Sequence, residues 1–327
     1  MAELRATIVG IGAYVPPKVL TNFDLERMVD TSDEWIRTRT GIRERRIAPD
    51  DVVTSTMSVE ASRQALAMAG IRPEQIDLIL CCTVTPDQPF PATAAIIQRD
   101  LGARNAAGLD MGAACAGFLY GLTVADQFIR TGAARYVLLI GVELLSRFVN
   151  WQDRSTCVLF GDGAGAAVLT GTRDRGVLAS RLYLDGELAD LICLPAGGTR
   201  IPINAQVMQE GLHYIHMRGN EVFRIAVRYM GRALQDVIAE AGVSAEDIDW
   251  MVPHQANYRI TTALADYLQF PMDRVYSNIE RYGNTSAASI PIALWEMVDR
   301  GLLRQGQLVA MTALGAGIAY AATLLRW

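Results

Sequence analysis

The amino-acid sequence predicts a mixed α/β fold that contains two similar halves. Two observations support this prediction. Short apolar runs alternate with longer amphipathic segments along the whole chain, and a phrase of helix, turn and strand in the first half recurs in the second. Alternating strands and helices favour a sheet whose faces are both covered by helices.

The predicted elements follow from hydrophobic periodicity. Apolar runs of strand length are typical of buried strands, whereas apolar residues at helical spacing are typical of helices that cover a sheet. The predicted strands are residues 6–11, 78–83, 107–111, 136–142 and 165–170. The predicted helices are residues 58–69, 115–129, 221–241 and 290–300.

An internal echo indicates a duplication. Residues 69–80 (AGIRPEQIDLIL) resemble residues 241–252 (AGVSAEDIDWMV), and residues 163–169 (GAGAAVL) resemble residues 315–321 (GAGIAYA). Two echoes in the same order predict two α/β halves, residues 1–171 and 172–327. Since no stretch rich in proline or serine separates them, we expect the halves to share a continuous interface.

Composition and charge exclude several classes of function. The chain is 51% hydrophobic and carries a formal net charge of −5, which argues against a general nucleic-acid binder. Its apolar runs are too short to span a membrane, and its start lacks a signal-peptide pattern. The five cysteines show no paired spacing, so reduced thiols in a cytoplasm are expected.

Cys115 stands out because it falls where a strand turns into a helix. Phe118, Leu122, Ala125 and Ile129 follow at helical spacing, so the thiol should lie beside unpaired N–H groups at a helix start. Such a position lowers a thiol pKa and favours nucleophilic chemistry, but a small buried residue fits the same pattern. The remaining cysteines lie in apolar, strand-like runs and are predicted to be small buried structural residues: Cys81, Cys82, Cys157 and Cys193.

Three motifs carry a resemblance to a known family. The segments AACAGF (residues 113–118), VPHQAN (252–257) and YGNTSAASIP (282–291) resemble, in order, the Cys, His and Asn motifs of β-ketoacyl-acyl-carrier-protein synthase III. TSDEWIRTRTGIRER (31–45) and FGDGAGA (160–166) are also similar to that family. The resemblance extends over essentially the full chain.

The resemblance implies a thiolase fold, with two similar α/β halves in a five-layered αβαβα arrangement and a homodimeric state. It also implies a condensation in two stages. An acyl group passes from acyl-coenzyme A to Cys115, and malonyl-acyl-carrier protein then loses carbon dioxide and attacks that acyl group. Both thioesters are substrates, and no cofactor or metal is expected.

The family's catalytic roles transfer onto matching positions. His254 and Asn284 are expected to donate hydrogen bonds to the malonyl thioester oxygen and so stabilise the enolate. Backbone N–H groups of Cys115 and of Ala316, within the turn of residues 315–317, are expected to hold the oxyanion of the acylation step. His254 is also a candidate for assisting deprotonation of the thiol.

The resemblance also implies which residues contact the substrates. Trp35 and Arg154 match a pair that clamps the adenine of coenzyme A, a stacking task suited to an indole and a guanidinium. Arg39, Asn220 and Phe223 match positions that line the pantetheine tunnel and its mouth. A core tryptophan and a surface arginine are the plainer alternatives for the first pair.

Phe90, in the segment QPFP (residues 88–91), matches a residue that crosses the dimer and closes the acyl pocket. A bulky ring at that position indicates a short primer, and we expect acetyl.

Carrier protein is acidic, so a basic docking surface is expected. Arg224, Arg228 and Arg232 are spaced to form one stripe on a helix, which Arg259 could extend. A solvated helix face fits this spacing equally well. Asp266 and Tyr267 stand where relatives often carry basic residues, which shifts the expected docking contact to the stripe.

Two further patterns do not indicate a binding site. The glycine-rich segment of residues 161–166 precedes a strand, so the context of a dinucleotide fingerprint is missing. His213 and His216 have no further ligand types nearby and are interpreted as structural or surface residues.

The function favoured by the sequence is initiation of fatty-acid synthesis by condensation of acetyl-coenzyme A with malonyl-acyl-carrier protein. Two alternatives stay open. One is a related acyltransferase or condensing enzyme of secondary metabolism that takes another starter. The other is a catalytically silent thiolase-fold binding subunit, although the intact Cys, His and Asn set argues against it.

Overall fold

The computed structural model describes residues 3–327, which contain thirteen strands and ten α-helices. The strands are β1 (Arg5–Tyr14), β2 (Lys18–Thr21), β3 (Glu44–Ile47), β4 (Leu78–Cys82), β5 (Ala107–Met111), β6 (Tyr136–Leu144), β7 (Asp162–Thr172), β8 (Gly176–Leu184), β9 (Ile192–Cys193), β10 (His216–Met217), β11 (Trp250–Pro253), β12 (Leu308–Gly315) and β13 (Ala319–Arg326). The helices are α1 (Asn22–Leu25), α2 (Asp33–Thr40), α3 (Thr54–Ala69), α4 (Thr93–Leu101), α5 (Gly117–Arg130), α6 (Ala205–Glu210), α7 (Gly219–Ala241), α8 (Tyr258–Leu268), α9 (Ile279–Tyr282) and α10 (Ser289–Asp299).

The first large sheet has the strand order β1-β7-β6-β4-β5. β4 runs parallel to both β5 and β6, whereas β7 is antiparallel to β1 and β6. Helices α3 and α4 pack on one face, and α5 and α10 pack on the other. The buried strands β4 and β6 are almost wholly apolar, as expected for strands covered on both faces.

The second large sheet has the order β11-β12-β13-β8, with β11 parallel to β12 and the other pairs antiparallel. Helix α7 packs on its outer face and α8 packs on α7. Because α5 contacts strands of both sheets, the central helices separate the two sheets. The result is five layers, αβαβα, as predicted.

The two sheets share one connectivity. Reading β8-β13-β12-β11 beside β1-β7-β6-β4 gives the same order and the same strand directions. The place of β5 is taken in the second sheet by Val275, which forms a parallel bridge to Met251 of β11. The echoed residues 69–80 and 241–252 lie in corresponding places, from the end of a helix into β4 and β11. The domain boundary at residue 171 stays a prediction.

Every strand and helix predicted from periodicity is present, with bounds that differ by a few residues. One boundary matters for the site. The predicted helix over residues 115–129 begins as a 3-10 turn at Ala114–Ala116, and the α-helix starts only at Gly117. Cys115 therefore lies in a tight turn ahead of the helix.

Small residues allow close layer packing. A Cβ atom on Gly10 of β1 would lie 2.1 Å from the carbonyl oxygen of Ala65 in α3, a distance that no side chain tolerates. The glycine therefore lets α3 lie directly on the sheet. The central helix α10 is buried along most of its length, since both of its sides face a sheet.

The β5 edge of the first sheet is open. β5 is the outermost strand of the first sheet, and its residues Ala107, Gly108 and Leu109 are exposed. Among residues 3–327, no helix combines the length and the apolar character that crossing a membrane requires.

Candidate active site

Cys115 faces an apolar cavity of about 200 Å³. Its wall combines residues from the Cys115 turn, the segments after β4 and β6, β9 and two turns of the C-terminal half. The lining residues are Val84, Thr85, Ala114, Cys115, Leu145, Phe148, Phe160, Ile192, Cys193, Leu194, Ile215, Ser286 and Ala316. Of the residues predicted from the sequence, Cys115 and Ala316 line this cavity.

Three strained turns meet at the thiol. Ala114, Ser286 and Ile318 each adopt a positive φ, of 45°, 48° and 49° respectively. Residues other than glycine rarely adopt such backbone angles. Each lies in a 3-10 turn, and the turns at Ser286 and Ile318 both contact the Cys115 turn. Backbone strain that the fold maintains is typical of functional sites.

Gly315 brings the last turn against the cysteine. A Cβ atom at this position would lie 2.5 Å from the backbone nitrogen of Cys115 and 3.1 Å from Cβ of Ala114. Only glycine permits this approach, which places the Ala316 backbone at the cavity wall.

The predicted lowering of the Cys115 pKa is wrong for this structure. Burial raises the pKa to about 12, because the apolar surroundings disfavour the thiolate, and the Glu143 carboxyl adds to the rise. The Ser286 hydroxyl and the backbone N–H of Cys115 itself act in the opposite direction. The helix-start effect inferred from the sequence is therefore present but smaller than the effect of burial.

His254 follows β11 at the centre of the molecule and is only 2% exposed. Its backbone N–H donates to the carbonyl of Thr312 at 2.8 Å, and its Nδ1 lies 2.7 Å from Oγ of Ser289. Nε2 is buried and has no partner within the described chain. Burial lowers the His254 pKa to about 3, so the ring is neutral at physiological pH.

The Ser289 hydroxyl is the hydrogen-bond partner that bears on the tautomer of His254. Its oxygen accepts a hydrogen bond from the backbone N–H of Gln255 at 3.4 Å, and its hydroxyl proton can be donated to Nδ1. When the hydroxyl donates in this way, Nδ1 is the acceptor and Nε2 carries the ring proton. A neutral ring of this kind donates from Nε2, the orientation that an oxyanion-binding histidine requires.

Asn284 is fixed by its backbone and its side chain. Its N–H donates to the carbonyl of Leu159 at 2.8 Å, and its own carbonyl accepts from Gly161 at 3.0 Å. Oδ1 accepts the backbone N–H of Ser286 at 2.9 Å. The segment of residues 284–289 thus holds Asn284, contacts the Cys115 turn through Ser286, and positions His254 through Ser289.

The predicted adenine clamp residues lie together. The guanidinium carbons of Arg39 and Arg154 lie 5.1 and 5.2 Å from the centre of the Trp35 ring. Ser32 caps helix α2 by accepting the N–H of Trp35, which orients the indole at the first turn. Arg154 also donates to the carbonyl of Asp30 at 2.8 Å.

The remaining predicted contacts lie around the start of α7. Phe223 lies beneath the guanidinium of Arg259, 5.5 Å from ring centre to Cζ, and Asn220 is exposed at the first turn of α7. Arg224, Arg228 and Arg232 are all exposed along one side of α7. Phe90 does not line the cavity of its own chain, and its side chain is 85% exposed.

Of the other cysteines, Cys81, Cys82 and Cys157 are buried, as predicted. Cys193 is partly exposed and lines the same cavity as Cys115, so its prediction as a residue within an apolar core was wrong. β9, which carries it, is a two-residue strand at the cavity wall and not a core strand. Within residues 3–327 no cluster of His, Cys, Asp and Glu has the arrangement of a metal site.

Sequence reasoning missed Glu143, Ser286 and Ser289. Glu143 had a signal, because it is the single charged residue in the otherwise apolar strand β6. The two serines had none, since a serine in a glycine- and serine-rich turn is ordinary and its partners are distant in sequence.

Five αβαβα layers in two halves of matching connectivity, with a cysteine on the wall of a cavity between them, are the arrangement of the thiolase fold. Comparison with known proteins narrows the class. Residues 109–186 match the family model for 3-oxoacyl-[acyl-carrier-protein] synthase III, and residues 238–327 match the model for its C-terminal part.

Individual members of this family are similar to the chain over nearly its full length. The β-ketoacyl-[acyl-carrier-protein] synthase III of Symbiobacterium thermophilum is 54% identical over 98% of this chain and 97% of its own. The crystal structure of the synthase III from Aquifex aeolicus is 48% identical, covers 98% of this chain and 100% of its own, and has a TM-score of 0.91. The structure from Pseudomonas aeruginosa is 40% identical, covers 99% and 98%, and also has a TM-score of 0.91.

This chain belongs to the β-ketoacyl-acyl-carrier-protein synthase III family. It is a condensing acyltransferase of the class that initiates fatty-acid synthesis, and the predicted thiolase fold is confirmed.

Proposed function

We propose that this enzyme transfers an acetyl group from acetyl-coenzyme A to Cys115 and condenses it with malonyl-acyl-carrier protein to give a 3-oxoacyl-carrier protein. One observation carries the proposal. The thiol lies at the end of an apolar cavity of about 200 Å³, with the Gly315–Ala316 backbone held against its own backbone nitrogen. Such a cavity has room for a short acyl chain.

In the acylation step, the backbone N–H groups of Cys115 and Ala316 hold the oxyanion that forms as the thiolate attacks. Trp35 and Arg154 hold the adenine end of coenzyme A, and Arg39, Asn220 and Phe223 guide the pantetheine arm. The two guanidiniums against the Trp35 ring support an aromatic stacking site with positive charge for the phosphates of the nucleotide.

In the condensation step, His254 Nε2–H and Asn284 donate to the malonyl thioester oxygen and stabilise the enolate as carbon dioxide leaves. The carbanion then attacks the acyl group on Cys115. This role needs a donor and no proton acceptor, which agrees with a neutral His254 whose Nδ1 is occupied by Ser289.

The carrier protein docks on the stripe of Arg224, Arg228 and Arg232, with Arg259 beside it. Two observations support this site. The three arginines of the stripe are exposed on α7, and Arg259, exposed on α8, lies over the ring of Phe223. An acidic partner is attracted to such a stripe although the chain as a whole is negatively charged.

The enzyme is a homodimer in which the open β5 edges pair, so that Phe90 closes the acyl cavity of the partner subunit. The exposure of both the β5 edge and the Phe90 ring supports this arrangement. It works in the cytoplasm, without a cofactor, on thioester substrates; its five free cysteines are compatible with a reducing compartment.

Incubation with a panel of acyl-coenzyme A primers, followed by intact-mass and peptide mass spectrometry, tests the proposal. We expect a single acetyl adduct on Cys115 with acetyl-coenzyme A, and none with Cys115→Ala. Preference for a longer or branched primer would contradict the choice of acetyl. Absence of an adduct with every primer would indicate a silent subunit.

A further inference from the structure

Glu143 lies in β6 with none of its surface exposed to solvent. The backbone N–H of Val84 donates to both carboxylate oxygens at 3.2 and 3.3 Å, and the hydroxyl of Thr85 donates at 2.7 Å. The Thr83 hydroxyl lies 3.4 Å away. All these partners are neutral, and burying a carboxylate among neutral groups is costly, so its presence calls for an explanation.

Ser286 connects this carboxylate to the nucleophile. Its hydroxyl donates to Oε1 of Glu143 at 3.2 Å, which leaves the Ser286 oxygen to accept a hydrogen bond from the S–H of Cys115 on the wall of the same cavity. The backbone of Ser286 is held in a strained conformation, and its N–H is held by Asn284, so the hydroxyl has a fixed position. The order of groups is therefore thiol, hydroxyl, carboxylate.

His254 is a poor proton acceptor for the thiol. Its Nδ1 is occupied by Ser289, and burial lowers the pKa of the ring to about 3, so the imidazole does not hold an added proton near neutral pH. The Cys115 thiol must nevertheless lose its proton before it can attack a thioester.

We propose that Glu143, acting through the Ser286 hydroxyl, accepts the proton of Cys115 during acylation. This inference rests on the proposed role of Cys115 as the acyl acceptor. Cys115 is the catalytic group, Ser286 transmits the proton, and Glu143 is the positioning residue behind them.

The S–H proton of Cys115 moves to Oγ of Ser286, while the hydroxyl proton of Ser286 moves to Oε1 of Glu143. The sulfur electron pair forms the new bond to the acyl carbon, and the bond from that carbon to the sulfur of coenzyme A breaks. The thiolate of coenzyme A then takes the proton back from Glu143 through Ser286 and leaves as the free thiol.

The charges favour coupling of these events. A charged Glu143 disfavours the neighbouring thiolate, and that effect disappears when the carboxylate takes the proton. Burial raises the pKa of Glu143 to about 7, so the group can both accept and return a proton near neutral pH. The other titratable groups that face it are the thiols of Cys81 and Cys82 on β4. Burial raises the pKa of both thiols above the ordinary cysteine value, so they stay neutral near pH 7.

The rate of Cys115 alkylation by iodoacetamide, measured against pH, tests the relay without requiring turnover. We expect Glu143→Gln and Ser286→Ala to slow alkylation of Cys115 about 100-fold at neutral pH, the size of a lost general base. The pH profile should move to higher pH in both. Cys193, which lines the same cavity, serves as the internal reference, because its alkylation reports access alone.

A purely electrostatic role for Glu143 predicts the opposite result. Since its charge raises the Cys115 pKa, removing that charge alone makes the thiol more reactive, so unchanged or faster alkylation in Glu143→Gln overturns the relay. Asp126→Asn, which removes a buried carboxylate from the far end of α5, is the matched control and should alkylate like wild type. A loss in this control equal to that in Glu143→Gln would likewise overturn the relay.

Different results would contradict the proposed acylation of Cys115 and the proposed proton relay through Glu143. If the wild-type protein gains no acyl group from any acyl-coenzyme A, the proposed function is wrong whatever the alkylation profile. If the wild type acylates normally and both variants keep the wild-type alkylation profile, the function stands and the relay is wrong.

Discussion

His254, which is buried, and Cys115, which is partly exposed on the cavity wall, are two titratable groups whose neutral forms are both favoured by their surroundings. Burial lowers the pKa of the imidazole to about 3 and raises that of the thiol to about 12. Neither group is therefore charged at rest, and no thiolate–imidazolium pair forms between them. The thiol must be deprotonated during the reaction, and the imidazole serves as a hydrogen-bond donor.

His254→Ala and Asn284→Ala are expected to retain acylation of Cys115 and to lose decarboxylation of malonyl-acyl-carrier protein, by about 100-fold for each lost donor. Mass spectrometry of the acyl adduct and release of labelled carbon dioxide measure the two half-reactions separately. Equal loss of both half-reactions would contradict this division of roles.

The pH dependence provides a second check on the same residue. Because the His254 ring is neutral well below pH 6, decarboxylation by the wild type should show no inflection near the ordinary histidine pKa of about 6.5. The unfolded chain binds a proton near that pKa, so the native state loses stability as pH falls below it. His254→Ala should reduce this acid sensitivity in thermal unfolding measured across pH.

At the residue scale, the sequence allowed the position of Cys115 at a helix start to be predicted, because apolar spacing reveals where a helix begins. The thiol pKa could not be predicted in the same way. It depends on the depth of burial and on Glu143 and Ser286, which are distant in sequence and reach Cys115 only in the folded chain. Neighbouring residues along a chain say little about such long-range contacts.

At the scale of elements, the site depends on turns more than on helices or strands. The 3-10 turns at Ala114–Ala116, Ser286–Ala288 and Ala316–Ile318 each connect to a regular element that fixes them: α5, α10 and the hairpin of β12 and β13. Periodicity located those elements, but it carries no information about the positive φ angles between them.

Gly315→Ala tests how closely these turns must approach. The new methyl group would lie 2.5 Å from the backbone nitrogen of Cys115, so the turns must separate and the oxyanion donors move out of position. We expect the acylation rate to fall about 100-fold, as for a displacement of about 1 Å in an active site. Stopped-flow release of coenzyme A measures it.

Gly112→Ala is the matched control for that variant. Gly112 is exposed, lies three residues before Cys115, and has no atom within 4 Å of an added Cβ. It should acylate like wild type. If Gly315→Ala also acylates like wild type, close contact between the turns is not required.

At the scale of the whole molecule, the layered fold leaves the β5 edge of the first sheet unpaired and partly apolar. Leu109, on the outer strand β5, is 42% exposed. An open edge of this kind is a template for pairing with another strand. The internal echo predicted two similar halves, but it could not predict that only the first sheet ends in a full fifth strand.

Leu109→Lys should convert the proposed homodimer to a monomer, because a charge on the paired edge is costly to bury. Sedimentation velocity measures the change. Leu184→Lys is the control, since Leu184 is 71% exposed at the end of β8, the edge strand of the second sheet. A dimer that persists in Leu109→Lys would place the interface elsewhere.

The matching connectivity of the two sheets has an evolutionary consequence. The turn before α5 supplies the nucleophile, and the turn before α10 supplies Ser286 and, through Ser289, the support for His254. Neither half contains both the nucleophile and the groups that form hydrogen bonds around it. An ancestor with one such half would have needed a second copy facing it to enclose the same cavity, and a symmetrical pair must carry identical residues on both sides. A single chain that holds both halves is free of that constraint, so one turn can carry the covalent chemistry and the other the hydrogen bonding.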